Sequence, residues 1–226
     1  MIYLPVIIVL LLLLYGPQFW AHAIFSRYSR ERRDLEGSGG ELAQHLAKKF
    51  DLDIGVEITR EGDHYDPLTR TVRLQAGNFH GRHLTALAIA AHEIGHAIQH
   101  ARGERALLLR TQLAHVANSI ERFGALLLIA APLLIGISHA PITGLIPFLG
   151  GLFVLSLAAL IHLVTLPVEW DASFHKAWPI LVEGGYIGVA DRKAVRTILR
   201  AAALTYVAAS LAALLNLWRW LRLLKR

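Results

Sequence analysis

The chain has 226 residues, a formal net charge of +6 and no cysteine. Its length admits one sizeable domain or a small domain with membrane helices, and 54% apolar residues with a mean hydropathy of +0.44 favour the second. Without cysteine there is no disulfide framework, and any metal must be held by His, Asp or Glu. The basic residues flank apolar blocks with no aromatic-basic nucleic-acid motif, which points to lipid headgroups and away from nucleic acid as a partner.

Residues 2–20 carry no charged side chain and can cross about 30 Å of hydrocarbon as a helix. Ala21-His22-Ala23 has the small-x-small look of a cleavage site. The missing basic n-region and the long apolar run nevertheless favour an uncleaved anchor, taken as residues 1–22. Residues 34–40 contain three glycines and read as a linker, followed by a helix with Leu42, Leu46 and Phe50 on one face. Alternating runs at 54–59 and 71–74 flank a turn-rich stretch, which predicts a small β-hairpin. An apolar helix then runs from Leu84 to Ala101, stopped near Gly103, and a further helix is predicted from about 106 to 122.

Residues 123–138 and 142–166 are apolar and uncharged apart from His162, and predict a transmembrane hairpin turned at His139-Ala140-Pro141. Polar residues return at 167–200, and 201–226 reads as a last membrane helix with a basic tail. The expected divisions are therefore 1–22, 23–122, 123–166, 167–200 and 201–226. Positive charge in 21–122 and 176–200 places both on the cytoplasmic side of a multi-pass cell-membrane protein. Four full crossings would put Arg219, Arg222, Lys225 and Arg226 outside, so the last segment either re-enters or breaks the charge rule.

The chemistry concentrates in His92-Glu93-Ile94-Gly95-His96. Residues four apart share a helix face, so His92 and His96 can present both imidazoles to one Zn2+ ion. Glu93 beside them can act as general base toward a metal-activated water. With 12 histidines in the chain, a chance HExxH arises at the level of roughly a few per cent, so the five residues alone are moderately specific. The apolar surroundings strengthen the reading, because three ionisable side chains are costly to bury without a partner such as a metal. Gly95 in mid-helix suggests a close approach at that point, or simply tight packing. His100 lies about 12 Å along the axis from His92, too far to share the ion.

Catalytic zinc usually takes three protein ligands and keeps one position open. Gln99 and Arg102 break the extended HExxHxxGxxH pattern, so the third ligand must come from elsewhere. Glu169, just beyond Leu166-Pro167 where proline can open a new helix, is the preferred candidate. Asp171 is the rival, with a possible supporting role behind a ligating histidine. The place of Glu169 after the apolar run ending at Leu166 predicts a centre at the membrane-water boundary. Candidate oxyanion donors are His175, Arg192 and Tyr206.

Ala-Ala-His-Glu-Ile-Gly-His-Ala-Ile-Gln-His, Leu-Pro-Val-Glu-Trp-Asp-Ala-Ser, Tyr-Asp-Pro with Val-Arg-Leu, and Ala-Ala-Leu-Thr-Tyr-Val-Ala-Ala resemble, in order along the chain, the YugP-type neutral zinc metallopeptidases of bacterial membranes. More distantly the chain is similar to the HtpX-type and CAAX-prenyl membrane peptidases. The resemblance implies a mainly α, polytopic membrane protein with a gluzincin-like zinc-metallopeptidase domain carrying a small β-hairpin. It implies an endopeptidase acting on peptide or membrane-protein substrates in the lipid bilayer of the bacterial inner membrane. In the distant relatives a Glu-x-x-Ala-Asp segment supplies the third ligand. Here Glu169-Trp170-Asp171-Ala172-Ser173 keeps Glu and Ala but carries Ser in the final place, which leaves the role of that position open. The alternative from another class is a non-catalytic membrane scaffold with a structural zinc, for which Glu93 would have no use.

Overall fold

The computed structural model describes residues 16–213. The predicted N-terminal anchor lies largely outside the described residues, as does the end of the last apolar segment. A first helix, α1, is described over residues 16–27, and α2 spans Gly39–Lys49. Ser38 opens α2 with a capping box. The Glu41 backbone N–H donates to Ser38 Oγ at 3.2 Å, and the Ser38 N–H donates to Glu41 Oε2 at 2.7 Å. The predicted linker thus ends two residues early, because Gly39 and Gly40 are buried helical residues. A Cβ on Gly39 would meet the Asn78 carbonyl oxygen at 2.4 Å.

Three strands follow: β1 (Gly55–Thr59), β2 (His64–Asp66) and β3 (Thr71–Gln75), in sheet order β1-β3-β2. The predicted hairpin partners, β1 and β3, are parallel in the structure. The hairpin is instead made by β2 and β3, which pair antiparallel. The reason is the turn at 67–70. Asp66 accepts the Leu68 N–H at 2.9 Å and the Thr69 hydroxyl at 2.8 Å, and Arg70 takes φ +49°, so the chain reverses there and not across the whole 60–70 stretch.

After the short helix α3 (Ala76–His80) comes α4, Leu84–Ala101, capped by His83, whose Nδ1 accepts the Ala86 N–H at 3.0 Å. Every residue from Leu84 to Gln99 is buried. Leu87, Ile94 and Ile98 of α4 belong to one core with Leu46 of α2, Leu74 of β3, Leu181, and Ile198 and Leu199 from a later helix. The central helix is surrounded on all sides, which its nearly unbroken apolar sequence requires.

Helix α5 runs unbroken from Arg105 to Ser138, so the two segments predicted at 106–122 and 123–138 are one element. The change from charged to apolar residues near Arg122 is a change of composition only. No proline falls there, and Gly124 sits inside the helix against Val154 and Leu155 of the next one. The predicted turn is found, with His139 at φ +53° and α6 starting at Pro141. Among the described residues, α5 is the one helix long and apolar enough to cross a membrane by length and composition, whereas the apolar stretch Pro141–Leu157 within α6 is shorter. The several spans expected from hydropathy are thus reduced to one candidate among the described residues. Helix α6 continues through Pro167 to Trp170, so this proline does not open a new helix. A π-helical run, Asp171–Ala177, comes next, followed by α7 (Trp178–Glu183), a 3-10 turn (Val189–Asp191) and α8 (Arg192–Ala213).

Two discontinuous units emerge. One comprises Phe19–Leu109 and Pro167–Thr205, and holds the sheet, α4 and the buried core above. The other contains Arg110–Leu166. In it α5 and α6 approach through small residues: a Cβ on Gly144 would lie 2.7 Å from the Ala131 carbonyl oxygen, and one on Gly151 would lie 2.9 Å from that of Gly124. Its outward side chains include Leu126, Ile137, Ile146 and Phe153, all well exposed apolar groups.

Candidate metal centre

The helical repeat of α4 places His92 and His96 on one face, with ring centroids 4.8 Å apart. Glu169, from the last turn of α6, meets them. Its Oε2 lies 3.1 Å from His96 Nε2 and 3.4 Å from His92 Nε2. All three side chains are buried, the carboxylate completely, and their ligand atoms fall within 4.8 Å of one another. Glu93, one residue from His92, is buried as well.

The donor set fits zinc on its chemistry. Two imidazole nitrogens and a carboxylate are a common catalytic triad of ligands. Ligand atoms bonded at about 2.05 Å in a tetrahedron are about 3.3 Å apart, close to both carboxylate-histidine distances. A fully buried carboxylate is also expensive without a compensating charge, which a divalent ion supplies.

The approach of the two ligand-bearing segments is set by Gly95. A Cβ there would lie 2.7 Å from the Ala172 carbonyl oxygen, so only glycine lets α4 close onto the π-helical run. This is the close approach that a glycine inside the motif suggested.

Each imidazole is held from behind. Ser173 Oγ lies 2.9 Å from His92 Nδ1 and donates to the Leu199 carbonyl at 3.1 Å. Gln99 Oε1 lies 2.9 Å from His96 Nδ1, while its Nε2 donates to the Val168 carbonyl at 3.0 Å and to Asp171 Oδ2 at 2.8 Å. Asp171, read from the sequence as a rival ligand or a direct partner of a ligating histidine, stands one step further out. It contacts Gln99, Lys176 and His175 because its place on the π-helical run turns it away from Glu169. Burial raises the Asp171 carboxyl, but the Lys176, Gln99 and His175 hydrogen bonds and the Lys176 charge outweigh it, holding the group below its usual range. Lys176 is itself buried and reaches Glu104 at 3.1 Å.

In the sequence Gln99 read only as a break in the extended HExxHxxGxxH pattern and the role of Ser173 was left open, although their spacing carries a signal. Gln99 is three residues beyond His96 and Ser173 four beyond Glu169, both on the same helical face as the ligand. Of the oxyanion candidates, His175 is largely exposed beside Asp171 and Arg192 is exposed at the start of α8.

The chain is 37% identical over 213 residues to a Bacillus subtilis (strain 168) protein named "Putative membrane protease YugP", covering 91% of this chain and 90% of that one. No solved structure matches it. A model of the family described as "Putative neutral zinc metallopeptidase" matches residues 3–225, essentially the whole chain, and with the His92, His96 and Glu169 cluster in place the protein belongs to that neutral zinc metallopeptidase family.

Proposed function

We propose that this protein is a membrane-bound, zinc-dependent endopeptidase that hydrolyses peptide bonds by a metal-activated water at the membrane-cytoplasm interface. The observation that carries the reading is the convergence of His92 Nε2, His96 Nε2 and Glu169 Oε2 beside a fourth ionisable side chain, Glu93, that the ligand set does not need. Those three atoms would hold the metal, leaving a position open for water and substrate. When bound, zinc supplies Lewis acidity, lowering the pKa of a water and polarising the scissile carbonyl. The Glu93 carboxylate takes the water's proton and returns it to the leaving amine, so no covalent enzyme intermediate is required. Ser173 and Gln99 keep the two imidazoles aimed while this happens.

The membrane part of the proposal rests on α5, on the exposed apolar side chains of α5 and α6, and on the name of the Bacillus relative. Glu169 follows the apolar run ending at Leu166 by three residues, which favours substrates that present a membrane-proximal or unfolded peptide. Basic residues at 27–33 and 192–200 favour a cytoplasmic active site.

Glu93→Gln tests the catalytic half. The variant is expected to bind zinc like the wild type and to lose about 10²–10⁴-fold in cleavage of an unfolded or membrane substrate. Undiminished cleavage would remove Glu93 from the mechanism. Zinc binding with no cleavage by either protein would favour the scaffold reading.

A further inference from the structure

Gln99 sits between the two segments that supply the ligands, and its surroundings determine which way its amide points. Its Nε2 donates to a backbone carbonyl, Val168, and to Asp171 Oδ2. A backbone carbonyl can only accept, so the amide nitrogen must be on that side and the amide oxygen on the other. That oxygen lies 2.9 Å from His96 Nδ1. An amide oxygen cannot donate, so Nδ1 carries a hydrogen and Nε2 is the nitrogen turned toward Glu169. The same reasoning applies to His92. Ser173 spends its only proton on the Leu199 carbonyl and can only accept from His92 Nδ1.

We propose that Gln99 is a positioning residue of the metal centre, fixing His96 as its Nδ1–H tautomer and tying the Glu169-bearing segment to α4 through Val168 and Asp171. The proposal rests on the zinc reading above and adds to it a residue that touches neither metal nor substrate. Two functions meet in one side chain. Its oxygen sets the tautomer of one ligand and its nitrogen sets the distance to another. The backbone contributes as well, since the Gln99 carbonyl accepts the Glu104 N–H at 3.0 Å and Lys176 links Glu104 to Asp171. The amide is thereby braced from both of its sides.

The test uses the full chain in detergent and two variants. Gln99→Leu keeps the bulk and removes every hydrogen bond. Gln99→Glu keeps an acceptor for His96 but sets a second carboxylate oxygen against the Val168 carbonyl and Asp171. Zinc affinity, measured by chelator competition, is expected to fall about 10–100-fold in both. Nitrogen-15 spectra of the zinc-free protein with labelled histidine then separate the two functions. Wild type should show both site histidines as Nδ1–H. Gln99→Leu should release His96 toward the Nε2–H form while His92, held by Ser173, is unchanged, and Gln99→Glu should keep His96 as Nδ1–H. A wild-type His96 with no hydrogen on Nδ1, or zinc affinity in both variants within twofold of wild type, would overturn the proposal. Should Gln99→Leu fail to fold, the wild-type spectrum and the Gln99→Glu affinity still decide. Failure of the peptidase reading would appear as an absence of cleavage by wild type, which leaves the affinity and tautomer results to be judged separately.

Discussion

At the scale of the residue, Ser173 explains its own departure from the Glu-x-x-Ala-Asp pattern. It must donate to the Leu199 carbonyl as well as accept from His92, and a carboxylate could not do both. Ser173→Ala should leave the buried Leu199 carbonyl and His92 Nδ1 without this partner, costing about 1–3 kcal/mol in denaturant unfolding. His83 has a comparable double constraint. It caps α4 only while Nδ1 is unprotonated, and burial pushes its pKa below the ordinary value. Because the unfolded chain takes up the proton first, this stability is complete above the unfolded pKa of about 6.5 and is lost as pH falls below it. Thermal unfolding between pH 5 and 8 should therefore show a slope in wild type that His83→Asn, a cap that does not titrate, flattens. Equal slopes would rule the device out. In the sequence, HExxH was legible because both candidate ligands and the candidate base lie within five residues. The partners of the imidazoles were not, since the Ser173 and Leu199 pairing depends on how α8 packs.

At the scale of the element, contact between α4 and the π-helical run depends on the missing side chain at Gly95. Gly95→Ala gains about 1 kcal/mol of intrinsic helix propensity. It also drives a Cβ to 2.7 Å from the Ala172 carbonyl oxygen, and overpacking against backbone costs about 1–3 kcal/mol. The variant should be less stable on balance and bind zinc more weakly, by unfolding and chelator competition. A stabilised variant with unchanged affinity would contradict this account. Elements of strong periodicity, α4 and the α5–α6 turn, were readable from their sequences. Strand pairing was not. Alternation at 54–59 and 71–74 reports two half-buried strands but carries no direction, and the three-residue β2 between them has polar ends that read as loop. Likewise the polarity change near Arg122 marks no helix end, because nothing there stops the hydrogen-bond ladder.

At the scale of the whole molecule, the candidate metal site draws its residues from segments 73 residues apart, so an ion bound there would cross-link α4 to the end of α6. A ligand that binds only the folded state stabilises it by about 2.7 kcal/mol at a hundredfold excess over its Kd. Chelation should thus lower the unfolding temperature, and added zinc should restore it. An unfolding temperature indifferent to both would mean that the cluster holds no ion. The unit carrying the metal centre was only partly legible as a unit. Its two sequence stretches, Phe19–Leu109 and Pro167–Thr205, are separated by the apolar helices, and composition alone cannot show that they fold together.

The π-helical run between Glu169 and α7 has a consequence for how this chain can change length. Seven residues with i→i+5 bonding hold surplus chain inside a helix that otherwise continues without a break. Removing one residue from Asp171–Ala177 would take out that surplus and let the segment relax to ordinary α-helix, re-spacing the side chains within the run while α7 beyond it keeps its phase. The contacts of Ser173 with His92 and of Lys176 with Asp171 and Glu104 would be disturbed, with Glu169 itself untouched. The local winding of this stretch is therefore as much a part of the candidate metal centre as its side chains, and single-residue deletions should be tolerated in the exposed 60–62 loop long before they are tolerated here.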